Sequence, residues 1–189
     1  MVDSMKKIAI ILLALLALCS CELFELRDSQ DPTEDAAWND PATTVELALQ
    51  NLEYAYEDSR NAVNYSRIFL EDYRFYFAAQ DITEFSTDSE WSRKQEQDML
   101  LNLHSRYSSI TIELETMATP DEIGASEARI YRSYRVRAIP VSASEAEIVL
   151  QGNLELDCRR LYDRWYINKW YDYRSSSANT WGWLKHENS

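Results

Sequence analysis

The chain has 189 residues, 46% of them hydrophobic, which is enough for one domain with a substantial core and short appendages. Only three Gly and four Pro are present, which argues against a disordered or low-complexity protein. The formal net charge of −13 disfavours nucleic acid as a partner, because its phosphates repel an acidic protein.

The N-terminus has the pattern of an export signal. Lys6 and Lys7 precede an apolar run over residues 8–18, which is shorter than the roughly 20 residues of a membrane-spanning helix. The run ends in Leu-Cys-Ser-Cys at residues 18–21, which resembles the lipobox of bacterial lipoproteins. The resemblance implies that residues 1–20 are a signal peptide and that Cys21 is the lipid attachment site. Its fatty chains, palmitate among them, would then form a membrane anchor in the cell envelope.

Two points about this segment stay open. The alternative to a lipoprotein is an ordinary secretory signal that is cut elsewhere, with Cys21 a chance cysteine. The final membrane is the second point. Glu22 follows Cys21, whereas in lipoproteins of enteric-type bacteria an Asp there favours the inner membrane. The resemblance therefore favours the outer membrane in a cell that has two. Residues 21–42 are polar and acidic and are expected to form a flexible tether.

Three helices are predicted after the tether. Thr43 and Glu46 fit a capping box, so the first helix is expected to begin near Thr43. A short second helix is expected around residues 63–69, and alternating aromatic residues then predict a strand over 73–77. A capping-box match at residues 87–90 predicts the third helix. We interpret the charged stretch that follows, residues 93–98, as its solvated face.

From residue 110 onward apolar residues alternate, which predicts four strands joined as antiparallel hairpins. Gly152 is expected to mark a bend or bulge in the third of these strands. Along the last strand, residues 165–173, the odd-numbered and even-numbered sets both mix polar and apolar types. Which set faces the core therefore stays open. The aromatic tail, residues 180–185, is expected to seal the core, with docking on a partner or on lipid as the alternatives.

The order and aromatic spacing of these elements resemble the nuclear transport factor 2-like superfamily, whose domains have the cystatin-like cone fold. The stretches that carry the resemblance are residues 46–77, 155–174 and 180–185. We therefore expect an α+β domain over residues 43–185, with three N-terminal helices packed on a strongly curved antiparallel sheet. Cone folds include isomerases, dehydratases, polyketide cyclases and plain binding proteins, so the resemblance predicts the fold rather than the function.

No motif in the sequence identifies a catalytic site, so none of its residues is assigned a catalytic role. His104 and His186 are far apart, no His, Cys and carboxylate cluster has metal-ligand spacing, and Gly-rich phosphate loops are absent. We therefore expect no metal and no cofactor. Cys158 alternates with leucines and is expected to be a small buried hydrophobe rather than a reactive thiol.

We interpret the chain as a lipoprotein that binds a small hydrophobic ligand or a protein partner through its cone domain. The ligand-binding candidates are Arg132, which interrupts an apolar face, and the aromatic residues Tyr65, Tyr134 and Trp170. The alternative is a cofactor-independent isomerase, dehydratase or hydrolase of the cone superfamily, in which a carboxylate acts as the base. A homodimer formed through the outer face of the sheet is a third hypothesis. Enzymatic activity is left open, with a non-enzyme favoured.

Overall fold

The computed structural model describes residues 35–189, of which Ala36–Ser189 form one compact unit. The predicted signal peptide and Cys21 lie outside the described residues, as does most of the predicted tether. The last part of the tether, residues 36–42, packs on the domain. The backbone N–H of Asn39 donates to the side-chain oxygen of Asn51 at 2.8 Å, and Ala42 is buried.

Helices and strands are mixed in the first part of the described chain, five consecutive strands follow, and the chain ends in a helix. The helices are α1 Val45–Glu57, a 3₁₀ helix Ser59–Ile68, α2 Ala79–Phe85, α3 Arg93–Arg106 and α4 Trp181–Glu187. The strands are β1 Phe69–Tyr76, β2 Glu90–Ser92, β3 Tyr107–Thr116, β4 Glu122–Ile123, β5 Glu127–Pro140, β6 Ile148–Leu161 and β7 Arg164–Tyr173. Within residues 35–189, none of the helices has the length and apolar character needed to cross a bilayer.

Side-chain caps fix where the two longest helices begin. The Thr44 hydroxyl accepts a hydrogen bond from the Leu47 N–H at 3.2 Å and starts α1. At the start of α3 the side-chain oxygen of Gln95 accepts from the Ser92 N–H at 2.9 Å, which is half of a capping box. The predicted start of this helix at residues 87–90 is wrong, because β2 takes up residues 90–92 and pairs with β1.

The prediction of three N-terminal helices is incomplete. The structure adds α2 and α4, so residues 35–189 contain five helical segments. Each added helix has only seven residues, which is too short for a helical period to be recognised in the sequence. The two short helices contact each other.

The strands form one curved, unclosed sheet in the order β2-β1-β7-β6-β5-β3, with β4 paired to β5. Neighbouring strands are antiparallel except β1 and β7, which are parallel. The β6–β7 hairpin turns at Tyr162 and Asp163, whose φ values of 49° and 63° are those that a tight two-residue turn needs. The long β5, β6 and β7 form the centre of the sheet.

Strand β7 changes face in its middle because of a β-bulge. Cys158 pairs with Ile167 and Asp157 pairs with Lys169, so Asn168 is an extra residue on β7. The odd-numbered residues face the core before the bulge and the even-numbered ones after it. This switch explains why a single alternation along the last strand cannot be identified in the sequence.

Gly152 is not the site of this bulge, so a bulge at this residue, one of the two features predicted there, is wrong. Gly152 keeps regular register opposite Tyr134. A Cβ atom on Gly152 would lie 2.3 Å from the Tyr134 hydroxyl oxygen. Glycine is therefore needed at this position so that the tyrosine can cross it closely.

The helices cover one face of the sheet, which we call the inner face. We call the space between this face and the helices the cone interior. Large side chains fill it, and those that are essentially inaccessible include Tyr56, Tyr65, Tyr73, Phe69, Phe75, Trp170 and Trp181. The opposite, outer face of the sheet meets solvent.

Candidate functional site

The C-terminal helix α4 closes the cone interior. Trp181, Leu184 and Lys185 of this helix are each 0% exposed. The Trp181 ring meets the Trp170 ring edge-on, with the ring centroids 4.6 Å apart. The expectation that the aromatic tail seals the core is therefore confirmed.

Lys185 brings a positive charge into the cone interior. Its Nζ lies 2.5 Å from Oε2 of Glu96, which is also 0% exposed. The same nitrogen lies 4.2 Å from the ring centroid of Phe75 and 4.2 Å from that of Trp170. Burial lowers the pKa of the Lys185 ammonium, and the Glu96 carboxylate opposes this shift.

Tyrosine hydroxyls surround Glu96 on its other side. The Tyr65 hydroxyl donates to Oε2 of Glu96 at 3.0 Å and lies 3.4 Å from the Tyr56 hydroxyl. Burial raises the pKa of Tyr65 and Tyr73 well above the ordinary value, and the charge of Glu96 adds to the shift. These tyrosines are therefore neutral hydrogen-bonding groups. We call Lys185, Glu96, Phe75, Trp170, Tyr65 and Tyr73 the ammonium cluster.

A second buried carboxylate, Asp172, holds the start of α4. The Tyr134 hydroxyl donates to Oδ1 of Asp172 at 2.7 Å, and the Gly182 N–H donates to Oδ2 at 2.6 Å. The Tyr134 hydroxyl also accepts from the Trp181 N–H at 2.8 Å. Burial is the main cause that raises the pKa of Asp172 to about 6. The carboxylate therefore titrates near neutrality. Its two oxygens accept hydrogen bonds from Tyr134 and Gly182, and these hydrogen bonds hold the first turn of α4.

A third carboxylate fixes the residue before α4. The Thr180 hydroxyl donates to Oδ2 of Asp81 at 2.5 Å and accepts from the Trp183 N–H at 3.0 Å as an N-cap. Arg174 pairs with Oδ1 of Asp81 at 2.6 Å. Asp81 lies on α2, so this short helix acts as a support for the C-terminal helix.

The four ligand-binding candidates from the sequence divide into two groups. Tyr65, Tyr134 and Trp170 all lie in the cone interior and contact α4 or its partner Glu96. Arg132 is 8% exposed, and its two terminal nitrogens each lie 2.8 Å from an oxygen of Asp121. The Arg132 guanidinium is thus used in a bidentate ion pair that joins β5 to the segment before it.

Sequence reasoning misses the charged centre of the cone interior. The interpretation of residues 93–98 as a solvated helix face is wrong for Glu96, which is fully buried. A signal for this exists, because Glu96 shares helical spacing with Met99, Leu100 and Leu103, all of them buried on α3. No comparable pattern marks Lys185 in the short tail.

Cys158 and His104, which could have carried chemistry, have roles in packing and hydrogen bonding instead. Cys158 is buried, and burial raises the pKa of its thiol to about 12, so the expectation of an inert small hydrophobe is confirmed. Nε2 of His104 lies 2.8 Å from the Ala55 carbonyl oxygen. Within residues 35–189, no group of three or more His, Cys, Asp or Glu side chains could hold a metal ion.

The outer face of the sheet carries two rows of cross-strand neighbours. Residues directly opposite each other point to the same side. One row is aromatic with a central carboxylate and runs through Tyr131, Glu155, Tyr171 and Tyr76. The adjacent row is mainly cationic and runs through Arg129, Asp157, Lys169 and Arg74. We call these the outer-face rows.

Contacts within the outer-face rows are polar and aromatic. Tyr76 and Tyr171 stack with centroids 4.7 Å apart and an interplanar angle of 9°. Nε of Arg129 lies 2.9 Å from Asp157 and 3.1 Å from Glu155. A groove of about 350 Å³ opens further along this face, lined by residues that include Glu113, Glu115, Arg135, Gln151 and Asn153.

Solved structures with this architecture have little sequence in common with the chain. A protein designated a scytalone dehydratase in Novosphingobium aromaticivorans matches with a TM-score of 0.57 and 13% identity, over 73% of this chain and 91% of that one. A hexachlorocyclohexane dehydrochlorinase of type 2 matches with a TM-score of 0.55 and 10% identity, over 70% and 83%.

A nuclear transport factor 2-like superfamily protein from Salmonella enterica matches with a TM-score of 0.52 and 9% identity, over 69% of this chain and 89% of that one. The domain has the nuclear transport factor 2-like cone fold. No family model matches the sequence, and no curated protein matches it significantly. At these identities the structural matches establish the fold, which hosts enzymes and binding proteins alike.

Proposed function

We propose that this chain is an exported lipoprotein, anchored through Cys21 in the cell envelope, whose cone domain binds a protein partner on the outer face of its sheet. The lipobox-like residues 18–21 support the anchor. The outer membrane is the proposed location if the cell has two membranes. The domain acts here as a binding module without catalytic turnover.

The observation that carries this proposal is that the chain's own C-terminal helix fills the cone interior. A small hydrophobic ligand would have to displace Trp181 and Leu184, both 0% exposed. The outer face is open to a partner and combines tyrosines with arginines, the residue types that are enriched at protein interfaces. The geometry therefore favours a protein partner over a small ligand in the closed cone.

The composition of the outer face indicates the chemistry of this partner. The chain has a net charge of −13, yet Arg129, Lys169 and Arg74 lie in one row across the sheet, with Asp157 as the one acidic member between Arg129 and Lys169. Beside them lie half-buried tyrosine rings whose hydroxyls can hydrogen-bond at the rim of an interface. A partner with carboxylates and apolar side chains in adjacent positions complements both rows.

Site-specific photo-crosslinking in living cells tests this proposal. Tyr171, in the outer-face rows, is replaced by benzoylphenylalanine in the full, lipid-anchored chain. Tyr162 is the matched control, because it is a tyrosine that is 100% exposed at the hairpin tip and lies outside the rows. We expect a discrete crosslinked product from position 171 and none from position 162.

Each alternative result contradicts a defined part of the proposal. No product from position 171, or the same product from position 162, would refute the outer face as the binding surface. A product that contains two copies of this chain would show that the face forms a homodimer instead of binding another protein.

The lipid anchor has a separate test. Cys21→Ser removes the thiol that would carry the lipid, so we expect this variant to move from the detergent-rich to the aqueous phase in a Triton X-114 partition. Cys158→Ser changes a buried thiol and is expected to leave the partition unchanged. A wild-type chain in the aqueous phase would contradict the anchor without affecting the proposal for the outer face.

One observation favours a second function, that of a cofactor-independent isomerase, dehydratase or hydrolase. Asp172 has a pKa raised to about 6 and lies 2.7 Å from the Tyr134 hydroxyl, a pairing that suits acid–base catalysis. The Tyr134 hydroxyl and the Gly182 N–H of α4 already occupy the two oxygens of Asp172, which makes this function the less supported of the two. Turnover that is lost in Asp172→Asn and retained in Asp157→Asn would establish it.

A further inference from the structure

The surroundings of Lys185 have the composition of a binding site for an organic ammonium ion. Two aromatic rings, those of Phe75 and Trp170, each lie 4.2 Å from Nζ, and Glu96 lies 2.5 Å away. Aromatic walls with a nearby carboxylate are the arrangement by which proteins recognise alkylammonium ligands. Here a side chain of the protein itself occupies the arrangement.

Closing the cone does not require this charge. Trp181 and Leu184 of the same helix close it with apolar side chains that are equally buried. Taking a lysine and a glutamate out of water is unfavourable, and a well-packed apolar pair at the same positions is often as stable or more so. The presence of the charges therefore indicates a recognition role that packing alone does not explain.

The ammonium cluster also has hydrogen-bonding capacity that Lys185 does not use. Oε1 of Glu96 and the hydroxyl of Tyr73 are buried, and within residues 35–189 neither makes a hydrogen bond of normal geometry, although Glu96 is close enough to raise the pKa of Tyr73. Buried polar atoms are normally paired, because an unpaired one loses its hydrogen bonds to water without replacement. A ligand with more N–H groups in reach, or with a second polar group, could satisfy both atoms.

The Lys185 side chain can leave the ammonium cluster without breaking the strand pairing of the sheet. Lys185 lies on α4, a helix of seven residues near the end of the chain. The first turn of this helix is positioned by hydrogen bonds to the Asp172 and Thr180 side chains and by the packing of Trp181. Its C-terminal end is held by hydrogen bonds from the Asn102 and Arg106 side chains of α3. The strands that carry Phe75 and Trp170, β1 and β7, pair with each other independently of α4.

We infer that the cone interior contains a binding site for a primary alkylammonium group, formed by Glu96, Phe75 and Trp170 and occupied in the closed protein by Lys185. An external ligand of this class is a small organic amine that competes with the lysine side chain. The site is distinct from the outer-face rows and does not depend on the partner proposed for them.

Chemical rescue of a truncated side chain tests the inference in the full chain. Lys185→Ala removes Cγ, Cδ, Cε and Nζ, which together have the structure of n-propylammonium. We expect millimolar n-propylammonium chloride to raise the thermal unfolding midpoint of this variant by several degrees, since a ligand that binds only the folded state stabilises it. 1-Propanol, which has the same size but no charge, and sodium chloride at equal ionic strength are expected to have no such effect.

Three matched proteins show whether the rescue occurs in the ammonium cluster. The wild type is expected to respond only weakly at the same amine concentration, because the tethered Lys185 ammonium competes with the free amine for the site. Lys185→Met is expected not to respond either, because methionine occupies the same channel. Lys185→Ala combined with Glu96→Gln is expected to lose most of the response, because the carboxylate that holds the ammonium is gone.

The result is decisive even if Lys185→Ala does not fold in buffer. The variant is then refolded from urea with and without n-propylammonium, and recovery of near-ultraviolet circular dichroism only with the amine supports the inference. An equal midpoint shift in the wild type, rescue by 1-propanol, or no recovery with the amine where Lys185→Met refolds would each overturn it.

Discussion

Two ion pairs of this molecule have similar distances and opposite surroundings. Lys185 and Glu96 lie 2.5 Å apart in the cone interior and are both 0% exposed, whereas Arg129 and Asp157 lie 2.9 Å apart on the outer face with Arg129 44% exposed. Water already stabilises the charges of the outer pair, so their contact adds little. The inner charges have only protein around them, and each depends on the other.

The comparison separates two uses of the same chemistry. On the outer face the charges make the sheet soluble and offer groups that a partner can pair with. In the cone interior the charges specify what fits between the rings of Phe75 and Trp170. Burial, more than the distance between the charged atoms, decides how much each ion pair contributes to the free energy of unfolding.

The largest effect is expected when one inner charge is left alone. Glu96→Ala should lower the free energy of unfolding by about 3–5 kcal/mol, because Lys185 then remains buried without its counter-ion. Asp157→Ala, the matched change on the outer face, should lower it by about 0.2–1 kcal/mol. Urea unfolding followed by tryptophan fluorescence measures both.

Replacing both inner charges together tests whether the loss comes from an unpaired buried charge. Glu96→Met combined with Lys185→Met should recover most of the stability that Glu96→Ala loses, because no unpaired charge remains. Equal losses from Glu96→Ala and Asp157→Ala would contradict the difference in burial between the two pairs.

A smaller effect is expected from the titration of Asp172. Its pKa is raised to about 6 in the folded protein from an ordinary value of 3.8, so between these values the folded state holds its proton more firmly than the unfolded chain does. The free energy of unfolding therefore falls as the pH rises through this window.

Asp172→Asn cannot titrate and isolates this contribution. Relative to the variant, we expect the wild type to lose about 2–3 kcal/mol of unfolding free energy between about pH 4 and about pH 7, at about 1.4 kcal/mol for each unit of pKa shift. Urea unfolding of both proteins across this range gives the difference. A difference that stays constant with pH would show that the Asp172 pKa is not raised.

The smallest of the three effects concerns the close approach of Gly152 to Tyr134. Gly152→Ala places a Cβ 2.3 Å from the Tyr134 hydroxyl oxygen and 2.8 Å from the Tyr173 carbonyl oxygen. We expect a loss of about 1–3 kcal/mol, as for overpacking of a dense core. Gly124→Ala is the control, because the nearest atom to its Cβ, the Glu127 carbonyl oxygen, would be 3.2 Å away, so it should cost less than Gly152→Ala.

Thermal unfolding of the two glycine variants shows whether the close contact between residue 152 and Tyr134 is rigid. A Gly152→Ala protein as stable as Gly124→Ala would mean that Tyr134 can move aside without losing its hydrogen bonds to Asp172 and Trp181.

Local patterns of the sequence predict much of the fold. The approximate start of α1, the alternation along β5 and β6 and the hairpin before β7 are visible because each depends on residues only a few positions apart. The predicted cap residue of α1 is wrong by one position, because Thr44 and not Thr43 is the N-cap. The face switch at Asn168 is not predictable in this way, because a bulge is defined by the register of the partner strand β6. The ammonium cluster is predicted only in part: two of its aromatic residues, Tyr65 and Trp170, are named from the sequence, and its two charges are missed.

Composition and short-range patterns are enough to give the helical and strand periodicities, the turn before β7, the acidic net charge and the lipobox-like segment that predicts a lipid anchor. Tertiary structure alone decides that Glu96 is buried, that Lys185 meets it and that Arg132 belongs to an ion pair with Asp121. The difference arises from the separation along the chain of the residues that interact. A helix cap acts within one turn of the chain, whereas residues 96 and 185 meet only because α3 and α4 pack into the same cone.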